Sequence, residues 1–168
     1  MKNLLITLCL IFSIFTATSQ KIYCHPFTPG QECMSIYLVA KSHLKDTNVT
    51  IIYQPYDPLF QGFNGVTWQY NHGLYLINLS AFVTDDMERM WALLHELGHV
   101  IDMFNGDLKH HPLEWKGKRI TEKNIPWDQR PWEKSAENWA KILWKELFGV
   151  DPPIYLIELH GNWYKFKE

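Results

Sequence analysis

Apolar and polar positions recur along this chain with two different periods. From residue 85 to 106, Met87, Met90, Trp91, Leu94, Leu97, Ile101 and Phe104 return at three- and four-residue steps, which is the period of one helix face. Asp85 and Glu88 form a D-x-x-E start signal, with Thr84 as an alternative cap, and Asn105-Gly106 ends the segment. A second helix is expected from Pro131, because proline has no N–H to leave unpaired in a first turn. Trp132, Ala136, Trp139, Ala140, Leu143 and Leu147 make its apolar face, and Gly149 followed by Asp151-Pro152-Pro153 stops it.

Upstream the period shortens to two. "NVTIIYQ" (48–54) is β-branched and reads as a strand. "VTWQY" (66–70) and "LYLINL" (74–79) flank "NHG" and read as a hairpin. "PYDPLFQGFNG" (55–65) is a loop, and "MSIYLVAKSHLK" (34–45) a short helix. Residues 107–130 are polar and broken by Gly and Pro, with a small hairpin expected in "EWKGKRI" (114–120). The tail "IYLIELHGNWYKF" (154–166) fits a strand or a short helix packed on the body. With no internal repeat and no internal boundary, the pattern predicts one α+β domain over residues 20–168.

The first 19 residues stand apart. One Lys precedes an apolar run of roughly 12 residues, short of the ~20 that a spanning helix needs, and small and polar residues follow. This is the pattern of a secretory signal, with cleavage expected near Ala17-Thr18-Ser19. Cys9 lies inside the run rather than at its end, which argues against a lipoprotein site. The protein is therefore expected to be secreted or periplasmic, with no membrane attachment after cleavage. Export favours a disulfide between Cys24 and Cys33, whose loop "CHPFTPGQEC" can turn back on itself. Such a closure stabilises a fold by roughly 2–3 kcal/mol. As metal ligands the two would need partners, and only His25 is near. A composition 46% hydrophobic and 15% aromatic is globular, and a net charge of -2 without a basic run gives no nucleic-acid surface.

The chemistry is concentrated in "WALLHELGHVIDMF" (91–104), where two imidazoles and a carboxylate sit inside an apolar helix. His95 and His99, four apart, project the same way and can reach one metal ion. Glu96 is turned about 100° away and lies beside such an ion, in place to take a proton from water. H-E-x-x-H is the zinc-peptidase signature for these reasons. A catalytic zinc takes a third protein ligand, and the position six after His99 is Asn105, not His. Two acids in "RPWEKSAENWA" offer themselves: Glu133, in a first turn that suits a carboxylate, and Glu137 as the alternative. Whichever is not a ligand can support one. Asp102, three residues after His99, can orient a ligand histidine or bond a nearby backbone group.

Together, "HELGHVID" and "RPWEKSAENWA" resemble the gluzincin branch of the zincin-like metallopeptidases, in particular lethal-factor-type proteases and phage-type and regulatory metallopeptidases. The likeness covers about residues 74–147. It implies a small twisted sheet over the active-site helix, one Zn2+ per chain, Glu133 as third ligand, and an edge strand that binds an extended peptide. Lethal-factor-type proteases also carry a Tyr shortly before the ligand Glu, to stabilise the oxyanion; here Pro126, Trp127 and Asp128 stand there instead. His110, His111, Arg130, Tyr155 and Tyr164 are the candidates for that role. The expected function is a secreted zinc endopeptidase with Glu96 as general base, acting on a peptide or protein. The alternatives are a non-catalytic peptide- or protein-binding module on the same scaffold, and a cytosolic regulatory protease.

Overall fold

A computed structural model describes residues 20–45, 48–57, 64–121 and 125–162. The expected signal segment and Tyr164 lie outside them. The described residues form a mixed α+β structure with four helices and two sheets. No helix among them is long and apolar enough to cross a membrane.

The main sheet holds β1 (Lys21–Cys24), β2 (Thr50–Asp57), β3 (Gly65–Asn71) and β4 (Leu74–Ser80) in the order β1-β2-β4-β3. β1, β2 and β4 are parallel, and β3 returns antiparallel to β4 as an edge strand. Strand parity decides what faces the core. Ile51 pairs with Tyr75 and Tyr53 with Ile77, all buried, while Thr67 pairs with Ile77 and Gly65 with Leu79. Gly65 and Thr67 therefore share the sheet face that packs on the helices.

α1 (Gly30–His43) joins β1 to β2 and begins four residues before the apolar pattern starts at Met34. Its first turn carries Glu32, a buried acid whose Oε1 accepts from Arg89 Nη2 at 2.7 Å and whose Oε2 accepts from Tyr53 at 2.6 Å. The Cys24–Cys33 disulfide is formed, with the Cα atoms 6.2 Å apart, and fastens β1 to this helix.

α2 (Asp86–Phe104) starts where the cap signal puts it, Asp85 Oδ1 accepting from Met87 N at 3.0 Å and Glu88 N at 2.9 Å. Its burial exceeds the single apolar stripe expected. Every residue from Arg89 to Met103 is buried, because the sheet covers one side and α3 (Pro131–Phe148) the other. Met87, counted above as part of the apolar face, lies beyond that cover and is exposed. α3 ends at Gly149 in a left-handed conformation, and the tail forms α4 (Ile154–Asn162).

Between α2 and α3 the chain makes a second sheet of β5 (Leu108–His110), β6 (Leu113–Trp115) and β7 (Lys118–Arg119). β6 and β7 are the expected small hairpin, and β5 adds a strand that the polar composition concealed. A 3-10 turn, Trp127–Gln129, leads into α3.

Candidate metal centre

A helix buried on every side must satisfy each polar group it carries. Arg89 is met by Glu32. Asp102 Oδ1 accepts from Trp139 Nε1 at 3.0 Å and Ser135 Oγ at 3.2 Å, so it ties α2 to α3. Glu96 Oε2 accepts from Thr67 Oγ1 at 2.7 Å, and its backbone carbonyl lies 3.2 Å from the same hydroxyl. Room for the Glu96 side chain comes from Gly65, where an added Cβ would lie 2.8 Å from both Glu96 Cγ and Oε1.

His95 and His99 meet Glu133. Its Oε2 lies 3.2 Å from Nε2 of each ring. The two imidazoles stand edge to face at 4.8 Å, and Trp127 lies nearly parallel to His95 at 6.1 Å. One ligand atom from each of His95, His99 and Glu133 falls within 4.8 Å of the others, so the group could hold a metal ion. Tetrahedral zinc with 2.0–2.1 Å bonds separates its ligand atoms by about 3.3 Å, which the two His–Glu133 contacts already approach. The donor set of two imidazoles and a carboxylate fits such an ion.

Without an ion, the charges are held by the protein itself. Burial alone would raise Glu133, but the His99 and His95 rings hold its carboxyl well below the usual range. Burial would lower His99, yet Glu133, with Glu96 and Asp102 adding to it, pushes that imidazole up to about 9. Burial raises Glu96, and the two histidines and Thr67 only partly offset it. Nδ1 of His99 is buried with no hydrogen-bond partner among the described residues, and so is Oδ2 of Asp102, one helical turn on.

His95, Glu96, His99 and Glu133 border a cavity of about 150 Å³, lined also by Gly65, Val66, Thr67, Met103, Leu108, His110, Trp127, Arg130 and Trp132. Glu137 is not among them; it pairs with Lys141 at 2.9 Å. Of the oxyanion candidates, His110 and Arg130 line the cavity, whereas His111 and Tyr155 are exposed elsewhere. Nε2 of His110 is buried without a partner among the described residues. Burial, then the charges of His99 and His111, lower its pKa.

Sequence reasoning did not single out Thr67 or Gly65. Alternation along β3 marks both as inward-facing, but their contact with Glu96 depends on how the sheet seats on α2. Compared with known protein families, curated proteins and solved structures, the chain finds no match.

Proposed function

We propose that this protein is a zinc-dependent peptidase of the zincin type, in the gluzincin arrangement, that hydrolyses bonds in a peptide or protein substrate. The observation that carries this reading is the convergence of His95, His99 and Glu133 with Glu96 held beside them. An N,N,O donor set whose atoms lie within 4.8 Å of one another suits zinc among the divalent ions. Bound there, zinc would supply Lewis acidity, making water a better nucleophile and a carbonyl a better electrophile.

The chain's own residues supply the proton transfers. Glu96 accepts the proton of the attacking water and passes it to the leaving amine, while Thr67 fixes one of its oxygens at 2.7 Å. The raised proton affinity that burial gives Glu96 suits a carboxylate that carries a proton in transit. His110 donates from Nε2 to the carbonyl oxygen as charge develops on it; the support is that His110 lines the cavity and that its Nε2 has no hydrogen-bond partner among the described residues. β3 ends its sheet beside the cavity, and an extended substrate adds to it as a further strand. Cleavage of residues 1–19 and action outside the cytoplasm complete the reading, with the Cys24–Cys33 bridge in support.

The test uses zinc-loaded protein and a degenerate peptide library. Wild type is expected to bind one zinc per chain and cleave. Glu96→Gln is expected to keep the zinc and lose at least about a thousandfold in turnover, more than a proton-transfer group alone because the carboxylate also orients water. Equal turnover by both proteins would reject the mechanism.

A further inference from the structure

Arg130 lies on the wall of the catalytic cavity, at the last position before α3. Its Nε donates to the Ile125 carbonyl at 2.9 Å, which orients the guanidinium. Arginine has five N–H donors, and that bond uses one. No carboxylate of the protein pairs with Arg130 among the described residues. Arg89 provides the contrast: fully buried under the sheet, it spends two nitrogens on Glu32. A half-buried cation whose terminal nitrogens have no partner among the described residues, beside a candidate metal centre, suits recognition of an anionic group.

The charges of the cavity point the same way. Of the charged side chains that line the cavity, Glu96 and Glu133 are engaged with the two histidines and Thr67, which leaves Arg130 as the charged group facing the remaining space. His110 is the donor this reading assigns to the reacting carbonyl, which leaves Arg130, on the wall of the same cavity, for another group close to the scissile bond.

We propose that Arg130 recognises a carboxylate on the substrate, either the free C-terminus or an Asp or Glu side chain adjoining the bond that is cut. This rests on the peptidase reading and narrows it to a substrate class. The guanidinium fork pairs with both carboxylate oxygens, and the walls of Trp127 and Trp132 exclude water around that pair.

The experiment compares four degenerate libraries on zinc-loaded protein: free or amidated at the C-terminus, each with Asp and Glu kept or replaced by Asn and Gln. The library whose loss of carboxylate matters identifies the source. Wild type is expected to prefer the carboxylate-bearing library by at least about tenfold in kcat/KM, charge-assisted bonds being roughly twice as strong as neutral ones. Arg130→Met should collapse that ratio toward one, and Arg130→Lys should keep part of it through KM. Zinc content and melting temperature of both variants separate recognition from a misplaced Glu133. Binding of the same peptides to zinc-loaded Glu96→Gln supplies a readout that needs no turnover, and there the carboxylate-bearing peptides should bind more tightly than their neutral counterparts. No discrimination in either readout, or an equal fall in kcat on all libraries in Arg130→Met, would overturn the proposal. Hydrolysis of nothing by wild type, with the binding preference intact, would instead count against the peptidase reading alone.

Discussion

A Cβ added at Gly98 would lie 2.9 Å from both the Cα and the carbonyl oxygen of Ala136. The two helices touch there through backbone, and that contact sits between His95 and His99 on one side and one turn beyond Glu133 on the other. The closeness of α2 and α3 brings a carboxylate on one within 3.2 Å of two rings on the other.

Gly98→Ala tests this directly. Alanine gains about 1 kcal/mol over glycine in helix propensity. Against that, the new methyl meets backbone atoms that cannot rotate away, and overpacking of this kind costs about 1–3 kcal/mol. The clash wins, so the variant is expected to be less stable in denaturant titration. It should also bind zinc at least about tenfold more weakly, since a small misplacement of Glu133 spoils the coordination geometry.

The two acids of α3 separate cleanly. Glu133→Gln is expected to lose zinc, measured by metal content after dialysis, and the zinc-dependent part of its melting temperature. Glu137→Gln removes only an i,i+4 pair with Lys141, worth about 0.3–0.5 kcal/mol, and should retain the metal. The reverse ranking would move the ligand one turn along the helix.

Thr67→Val removes the hydroxyl that bonds Glu96 at 2.7 Å and keeps the side-chain shape. The expected outcome is unchanged zinc content with kcat lowered roughly tenfold, because the carboxylate loses its orientation rather than its chemistry. A drop in zinc content would show that Thr67 supports the fold of the centre instead.

The pH behaviour of the metal-free protein follows from the His99–Glu133 pair. His99 is raised from 6.5 to about 9, so its contribution to stability is complete below pH 6.5 and disappears as pH rises through about 9. Glu133 is lowered from 4.5, so its contribution is present above pH 4.5 and is lost in more acidic solution. Glu96, raised by burial, favours the protonated form and adds to the loss of stability as pH rises. Melting temperature in chelator should therefore fall between pH 6.5 and 9. With zinc bound the rings are neutral already and that fall should vanish, while zinc uptake near pH 7 releases about one proton, read as a dependence of the binding heat on buffer.

Much of this was legible in the sequence because local signals and burial agree. Asp85 and Asn105-Gly106 bound α2, and Pro131 and Gly149 bound α3, each through a backbone group that needs that residue type. The disulfide and the β3–β4 hairpin were legible for the same reason. The start of α1 was hidden because Glu32 looks like a surface acid until Arg89 and Tyr53 are placed around it. β1 was hidden because four residues with half-buried alternation carry too little pattern. At the centre, His95 and His99 announce themselves by type and spacing, but Glu133 and Glu137 were alternatives until the packing of α3 on α2 separated them, and the places of Thr67 and of His110 against His111 depend on which way a strand presents its side chains.

The helix that carries His95, Glu96 and His99 is also the one enclosed by the rest of the fold. Thermal tolerance and most of the proposed metal centre are therefore written into the same nineteen positions of α2. A laboratory population selected for heat resistance in the presence of chelator would be expected to discard His95, His99 and Glu133 together, in favour of apolar side chains that ask for no partner, since losing one side alone leaves a buried charge unpaired.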